Sequence, residues 1–217
     1  MPFVIKQDDQ FKRELLPAGN HHAVCYGVID LGTQNGEYMG TPKKTHEVMV
    51  CWEIPALTIE IEKDGVKKIM PRVKSRRFTL SLGEKANLYK MLVSWRGRAF
   101  TTEELAGFDV FNLIGANCLL NIIHVVKGEN TYDNITGASP ILAGMTKLKP
   151  KTDIWQYYIP EDQMKIPEVI PDWIKEIIGK SDEHQFVNNA QAHFNSQADD
   201  TPPEYDSDSQ PDDDIPF

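Results

Sequence analysis

Apolar and polar positions alternate along residues 20–31. Ala23, Cys25, Gly27, Ile29 and Leu31 fall on one side, and His22, Val24, Tyr26, Val28 and Asp30 on the other. A period of two predicts a β-strand, and Pro17-Ala18-Gly19 supplies the turn before it. A Gly-rich loop is expected over 32–40. Residues 45–54 predict a second strand, with Val48, Val50, Trp52 and Ile54 on one side and Pro55 as its end. Residues 57–62 alternate again, and Lys63-Asp64-Gly65 is a hairpin signal. Another strand is expected over 77–82, stopped by Gly83. The period then changes. Over 84–95 the apolar residues Ala86, Leu88, Leu92 and Val93 recur at helical spacing, with Gly97 as a stop signal. A short helix capped by Thr102 is expected next. Residues 116–126 read as a long buried strand, 127–130 as a turn and 131–135 as the last strand. A short helix over 173–178 closes the body.

The order is strand, strand, strand with an inserted hairpin, helix, strand, strand. It fits a mainly β fold, a five-stranded Greek-key barrel of the oligonucleotide/oligosaccharide-binding (OB) type, with its helix between strands three and four. A different all-β sandwich or an α+β domain has a similar order. The composition is that of a globular chain: of 217 residues 41% are hydrophobic and 25% charged. No apolar run approaches the ~20 residues of a membrane-spanning helix. The best stretch, 118–126, is broken by Asn121 and His124. The N-terminus carries Asp8, Asp9 and Glu14 and does not read as a secretory signal, so a cytoplasmic location and no membrane partner are expected. Cys25, Cys51 and Cys118 are too few and too scattered for a disulfide framework.

Charge divides the chain. The net charge is −9, yet residues 1–180 hold 23 basic and 22 acidic side chains, a net of +1. Residues 181–217 hold ten acids and no Lys or Arg. That segment is polar, with scattered Phe186, Val187, Phe194 and Tyr205, and buries too little to offset its ordering entropy. It is expected to be a disordered acidic tail on a single 1–180 domain. Within the body, Lys63, Lys67, Lys68, Arg72, Lys74, Arg76 and Arg77 stand against one acid, Asp64, giving +6 in 15 residues. Lys147, Lys149 and Lys151 form a smaller cluster. Such a pairing of basic patch and acidic arm suggests a protein that handles polyanions.

The chain ends in Asp212-Asp213-Asp214-Ile215-Pro216-Phe217. Three carboxylates steer toward a basic surface, and the terminal ring fills an apolar pocket while its carboxylate pairs with a cation. This tip resembles the C-terminus of bacterial single-stranded DNA-binding proteins, which end in the same acidic run and Ile-Pro-Phe. The resemblance implies docking of replication, recombination and repair proteins by residues 212–217. The body departs from the bacterial family: it is longer, and its linker is rich in Asn, Gln and Asp rather than Gly. It looks more like phage-encoded single-stranded DNA-binding proteins, and the segment from Pro17 through Val28-Ile29-Asp30-Leu31 to Gln34 is similar to them. A phage origin implies the bacterial host cytoplasm. It leaves homo-oligomerisation open, since bacterial relatives tetramerise and phage ones often do not.

Single-strand binding needs cations for phosphates and rings for bases. The cations are Lys63, Lys67, Lys68, Arg72, Lys74, Arg76 and Arg77. The candidate rings are Tyr38, Trp52, Phe78 and Tyr132. Trp52 shares its face with Val48, Val50 and Ile54, and Phe78 alternates with Leu80 and Leu82, so a core place competes for both. Tyr38 and Tyr132 are the better stacking candidates. Trp155, Tyr157 and Tyr158 lie elsewhere. Enzyme readings are weaker. Gly27-x4-Gly32-Thr33 lacks the phosphate-reaching Lys. Asp30, Glu47, Glu53, Glu60 and Glu62 show no nuclease spacing, and the six His form no metal motif. The expectation is a non-enzymatic protein without cofactor or metal that coats single-stranded DNA without sequence specificity, its tail competing for the same groove. The alternatives are a strand-annealing or recombination-mediator protein and a metal-dependent nuclease.

Overall fold

Pro55 does not end the second strand. In the computed structural model, which describes residues 14–187 apart from 64, 161 and 163, β2 (Thr41–Lys63) runs straight through it. The ladder to β3 (Val66–Thr79) shifts register between Ile54 and Thr58. A bulge absorbs the missing Pro N–H there and re-aims the strand. The stretches expected as 45–54 and 57–62 are therefore one strand. The hairpin is the outer half of the β2–β3 pair rather than an insertion, and the basic run is itself strand. The expected loop over 32–40 is also strand. β1 (Gly19–Tyr38) pairs with β2 out to Tyr38↔Thr41. Met39 and Gly40, both at positive φ (50 and 76), make the tight turn.

Three helical segments follow. They are α1 (Asn87–Arg96), α2 (Thr102–Ala106) and a 3-10 turn at Val110–Leu113. The cap of α2 is Thr101 rather than Thr102: its hydroxyl accepts the Glu104 N–H, and Glu104 returns a bond to the Thr101 N–H. Strands β4 (Asn117–Lys127), β5 (Asn130–Ser139) and β6 (Trp155–Tyr157) and helix α3 (Asp172–Gly179) complete the named elements. The sheet order is β3-β2-β1-β4-β5, antiparallel throughout, with β6 added parallel to β1. The five strands curl into a half-barrel consistent with an OB-like fold, and α1 lies between β3 and β4 in the chain.

The strands β3 and β5 are the two ends of that order, and side chains bridge them. Lys74 on β3 pairs with Asp133 on β5, and Arg76 Nη1 donates to the Ile135 carbonyl at 3.0 Å. The segment before β1 is stitched into the same seam. The Leu16 N–H donates to Asp133 Oδ2 at 3.0 Å, and His124 Nε2 donates to the Leu16 carbonyl at 2.7 Å.

Both faces of the central strands are buried. Inside the curl, Ala23, Cys25, Val28, Val50, Trp52 and Ile54 pack with Leu88, Leu92 and Trp95 of α1 and Leu120 of β4. Outside it, Tyr26, Ile29, Leu31, Met49 and Cys51 pack with Tyr157, Ile159, Ile170, Ile174 and Ile178. A register shift between Cys25 and Gly27 explains why the single alternation expected for β1 fails. Cys25 points inward, yet Val28, not Gly27, is its inward successor, and Ile29 and Leu31 turn outward. Gly27 also lets β6 lie close. A Cβ there would sit 2.9 Å from Trp155 Cβ, too near for two carbons.

The body runs past the expected boundary at Lys180. Residues 182–187 are helical, and Ser181 and His184 are buried. Glu183 accepts the Thr33 N–H at 2.8 Å and hydroxyl at 2.7 Å, and Asp182 pairs with Lys44 at 2.6 Å. Two of the tail's ten acids thus fasten the outer layer to β1 and β2. The tip, Asp212–Phe217, lies outside the described residues. Among those described, no helix is long and apolar enough to cross a membrane.

Candidate nucleic-acid interface

Strand β3 carries the basic run, and its pairing sets where each side chain goes. Arg72, Lys74 and Arg76 stand opposite Ile54, Trp52 and Val50, on the concave face. Val73, Ser75 and Arg77 stand opposite Glu53, Cys51 and Met49, on the convex one. Four of the seven candidate cations are engaged within the protein. Lys67 pairs with Glu60 at 2.7 Å, Arg72 with Glu14 at 3.3 Å, Lys74 with Asp133, and Arg77 with Glu47 through Nε at 2.8 Å. Local charge is thus far below what the sequence suggests. Lys68 is exposed and makes no ion pair among the described residues. The Lys63 side chain is outside the description.

Arg76 is different. It gives one hydrogen bond to a carbonyl, lies over the Phe78 ring at 4.9 Å, and has no carboxylate in ion-pair reach among the described residues. Burial pulls its guanidinium pKa down from the ordinary value. A half-buried cation without a counter-charge is a natural receptor for an oxyanion.

Two of the four candidate rings are withdrawn from any ligand. Trp52 and Phe78 are 0% and 2% exposed. Trp52 packs against Trp95 at 5.6 Å between centroids, and Phe78 supports Arg76 from beneath. Their place on the inward face of β2 and β3 makes them core. Tyr38, 64% exposed at the β1–β2 turn, sits beneath Lys43 Nζ at 5.7 Å. Tyr132 is exposed on β5 at the seam.

Two recesses flank β3. One, of about 410 Å³, opens at the seam between Lys74–Arg76 and Tyr132–Ile135. The other, of about 550 Å³, opens on the convex side and is lined by Val73, Ser75, Tyr26, Trp155, Pro171 and Trp173. Lys74 and Ser75 border both. Trp155 and Trp173 were not singled out from the sequence. One signal was legible: Ile174 and Ile178 form the buried i, i+4 stripe of α3, and Trp173 stands beside that stripe.

A third cavity, of about 600 Å³, lies at the mouth of the curl among Val28, Val48, Leu80, Leu88, Phe111 and Tyr158. Asp30 reaches its wall, accepting the Gly32 N–H at 2.9 Å and meeting His46 Nε2 at 2.6 Å. The bond from Asp30 outweighs desolvation and raises the His46 pKa above its ordinary value. A raised folded-state pKa stabilises the fold fully below the ordinary value of about 6.5, and that contribution is lost as pH rises through the higher one. An NMR titration should find His46 above the ordinary value, and Asp30→Asn should bring it down. An unmoved His46 in that variant would separate the two groups.

The carboxylates considered for a metal are dispersed. Asp30 holds His46, Glu47 holds Arg77, Glu60 holds Lys67, and Glu53 accepts the backbone N–H groups of Lys151 and Thr152. Among the described residues, no three His, Cys, Asp or Glu gather into a group that could hold an ion. The three cysteines are buried, and burial drives the Cys25 thiol up to about 12.

Compared with known proteins, the chain matches no family model, no curated protein and no solved structure at a significant level.

Proposed function

We propose that this protein binds and coats single-stranded DNA without reading its sequence, through an OB-type Greek-key barrel, and recruits partners through Asp212–Phe217. The observation that carries the reading is the seam of the curled sheet, where Arg76, without a carboxylate partner among the described residues, shares a recess with the exposed ring of Tyr132. Cations that fix phosphates beside rings that stack bases are the two parts of sequence-tolerant single-strand binding. The exposed Tyr38 beneath Lys43 offers a second such pair. The acidic tip with its terminal ring, similar to that of bacterial single-stranded DNA-binding proteins, supports a role in replication, recombination and repair in a bacterial host cytoplasm, as a phage-encoded protein of this class. It acts by coating rather than by turnover.

The test is a titration of the full chain with oligo-dT, duplex and RNA at two salt concentrations. Tight binding to oligo-dT and weak binding to duplex are expected. Single-strand binding loses affinity with log salt at a slope of about 0.7 per phosphate neutralised. With four of the seven candidate cations already paired, the slope should stay near that of a few phosphates. Removing 212–217 should abolish partner capture and keep oligo-dT affinity, raising it slightly at low salt where the acidic tail competes for the groove. Absence of oligo-dT binding at low salt would overturn the reading.

A further inference from the structure

We propose that the bound single strand crosses the edge strand β3 at Lys74–Ser75, from the Arg76–Tyr132 recess to an aromatic platform of Trp155 and Trp173 on the convex side. This site rests on the single-strand reading above and extends it to a surface that the five-stranded half-barrel alone does not provide. It is built by the outer layer, residues 155–178.

Four observations converge on it. First, the two recesses share Lys74 and Ser75, and β3 is the last strand on its side of the sheet, so no neighbouring strand of the ladder separates them. Second, Trp173 is 51% exposed. Tryptophan is among the most buried residues on average, and here the helix that carries it buries Ile174 and Ile178 instead. Its ring is held at the rim of a recess beside Pro171, not lost on open surface. Third, Trp155 is fixed. Tyr26 meets it edge-to-face with centroids 4.9 Å apart and planes at 67°, and its backbone lies against Gly27 in the β1–β6 ladder. A ring so braced loses little freedom on stacking, which is what makes a platform effective.

Fourth, the charges suit a polyanion. Arg76 has no carboxylate partner among the described residues. Of the acids nearby, Asp133 is paired with Lys74 and Glu53 faces backbone N–H groups, while on α3 the exposed Asp172 pairs with Lys175 at 3.1 Å and Glu176 faces solvent. Phosphate on Arg76 and bases on Tyr132, Trp155 and Trp173 would use both recesses in one path. A duplex could not follow it, because its bases are already stacked on one another.

Fluorescence makes the site separable. Trp52 and Trp95 are 0% and 5% exposed, so quenching of tryptophan emission by oligo-dT has to come from Trp155 and Trp173. With the full chain, oligo-dT should quench the emission. Trp173→Phe should keep affinity within about threefold while losing much of the quench, because the smaller ring still stacks. Trp173→Ala should weaken binding by about 5- to 150-fold, the range for one lost stacking partner. Arg76→Gln should lower affinity and reduce the salt slope by about 0.7. A thermal melt of each variant confirms that the fold is kept. If Trp173→Ala and Arg76→Gln bind as tightly as the parent and Trp173→Phe leaves the quench unchanged, the path is wrong although coating stands. If the parent chain fails to bind oligo-dT, both the path and the function fall.

Discussion

Replacing Asp133 with alanine should cost the fold about 3–5 kcal/mol, the loss expected when one partner of a buried ion pair is removed. Asp133 is 3% exposed and holds three parts of the chain at once. It pairs with Lys74 of β3, accepts the Leu16 N–H at 3.0 Å, and is itself part of β5. Without it the Lys74 ammonium, only 13% exposed, stays in the seam with no counter-charge, and the Leu16 amide loses its acceptor. Lys74→Met alone should also destabilise the fold, but by less, since Asp133 loses the ammonium and keeps the Leu16 N–H. The double variant Lys74→Met with Asp133→Leu should recover much of the loss, because an apolar pair of similar volume replaces a buried ion pair at little net cost. Urea unfolding measures all three. The midpoint should fall with an unchanged m-value for the single variants and return toward the parent for the double. A change below about 1 kcal/mol for Asp133→Ala, the size of an exposed pair, would mean the seam is closed by something else.

The seam was invisible in the sequence for a definite reason. By sequence Lys74 is one of seven cations offered to phosphates, and Asp133 carries no signal at all. They lie 59 positions apart, and only the strand order places β3 and β5 at facing ends of the sheet. The same holds for Arg72 with Glu14 and for Arg77 with Glu47. Charge counts along the chain overstate a patch whenever neighbouring strands supply the opposite sign. The local signals were sound where one face alone decides an element. Helix α1, the strand β4 and helix α3 lie within a few residues of where the pattern put them.

The alternation of β1 misled because both faces of that strand are buried and a bulge exchanges them after Cys25. The cover of the second face is regular only at β6 and α3, and of these the pattern announced α3 alone. That cover carries Trp155, on the unannounced β6, and Trp173, on a helix whose buried stripe is legible but whose exposed ring carries no signal of its own. The inward rings, by contrast, followed their faces. Trp52 and Phe78 alternate with aliphatic residues and end in the core.

Glu53 is one tie between that cover and the sheet, and Glu53→Ala should lower stability by about 3–6 kcal/mol, since two hydrogen bonds to a charged group are worth about 1.5–3 each. The carboxylate is 0% exposed on the convex side of β2. It takes the Lys151 N–H at 3.0 Å and the Thr152 N–H at 2.7 Å, and so anchors the strand that enters β6 three residues later. Glu53→Gln keeps one acceptor oxygen but turns an NH2 toward backbone donors, and should cost about 1–3 kcal/mol. The loss should be uneven. Amide exchange at Lys151 and Thr152 should speed up more than exchange in β1 or β2, because those two amides lie outside the strand ladders while the central strands are packed on both faces. Unchanged protection of those two amides in Glu53→Ala would show that the loop is held without the carboxylate. A loosened layer also lets Trp155 slip from Tyr26. Oligo-dT affinity should then fall in Glu53→Ala, although Glu53 itself is too deeply buried to touch DNA. A buried acid on the sheet would thereby govern a stacking surface that begins three residues beyond the backbone it holds.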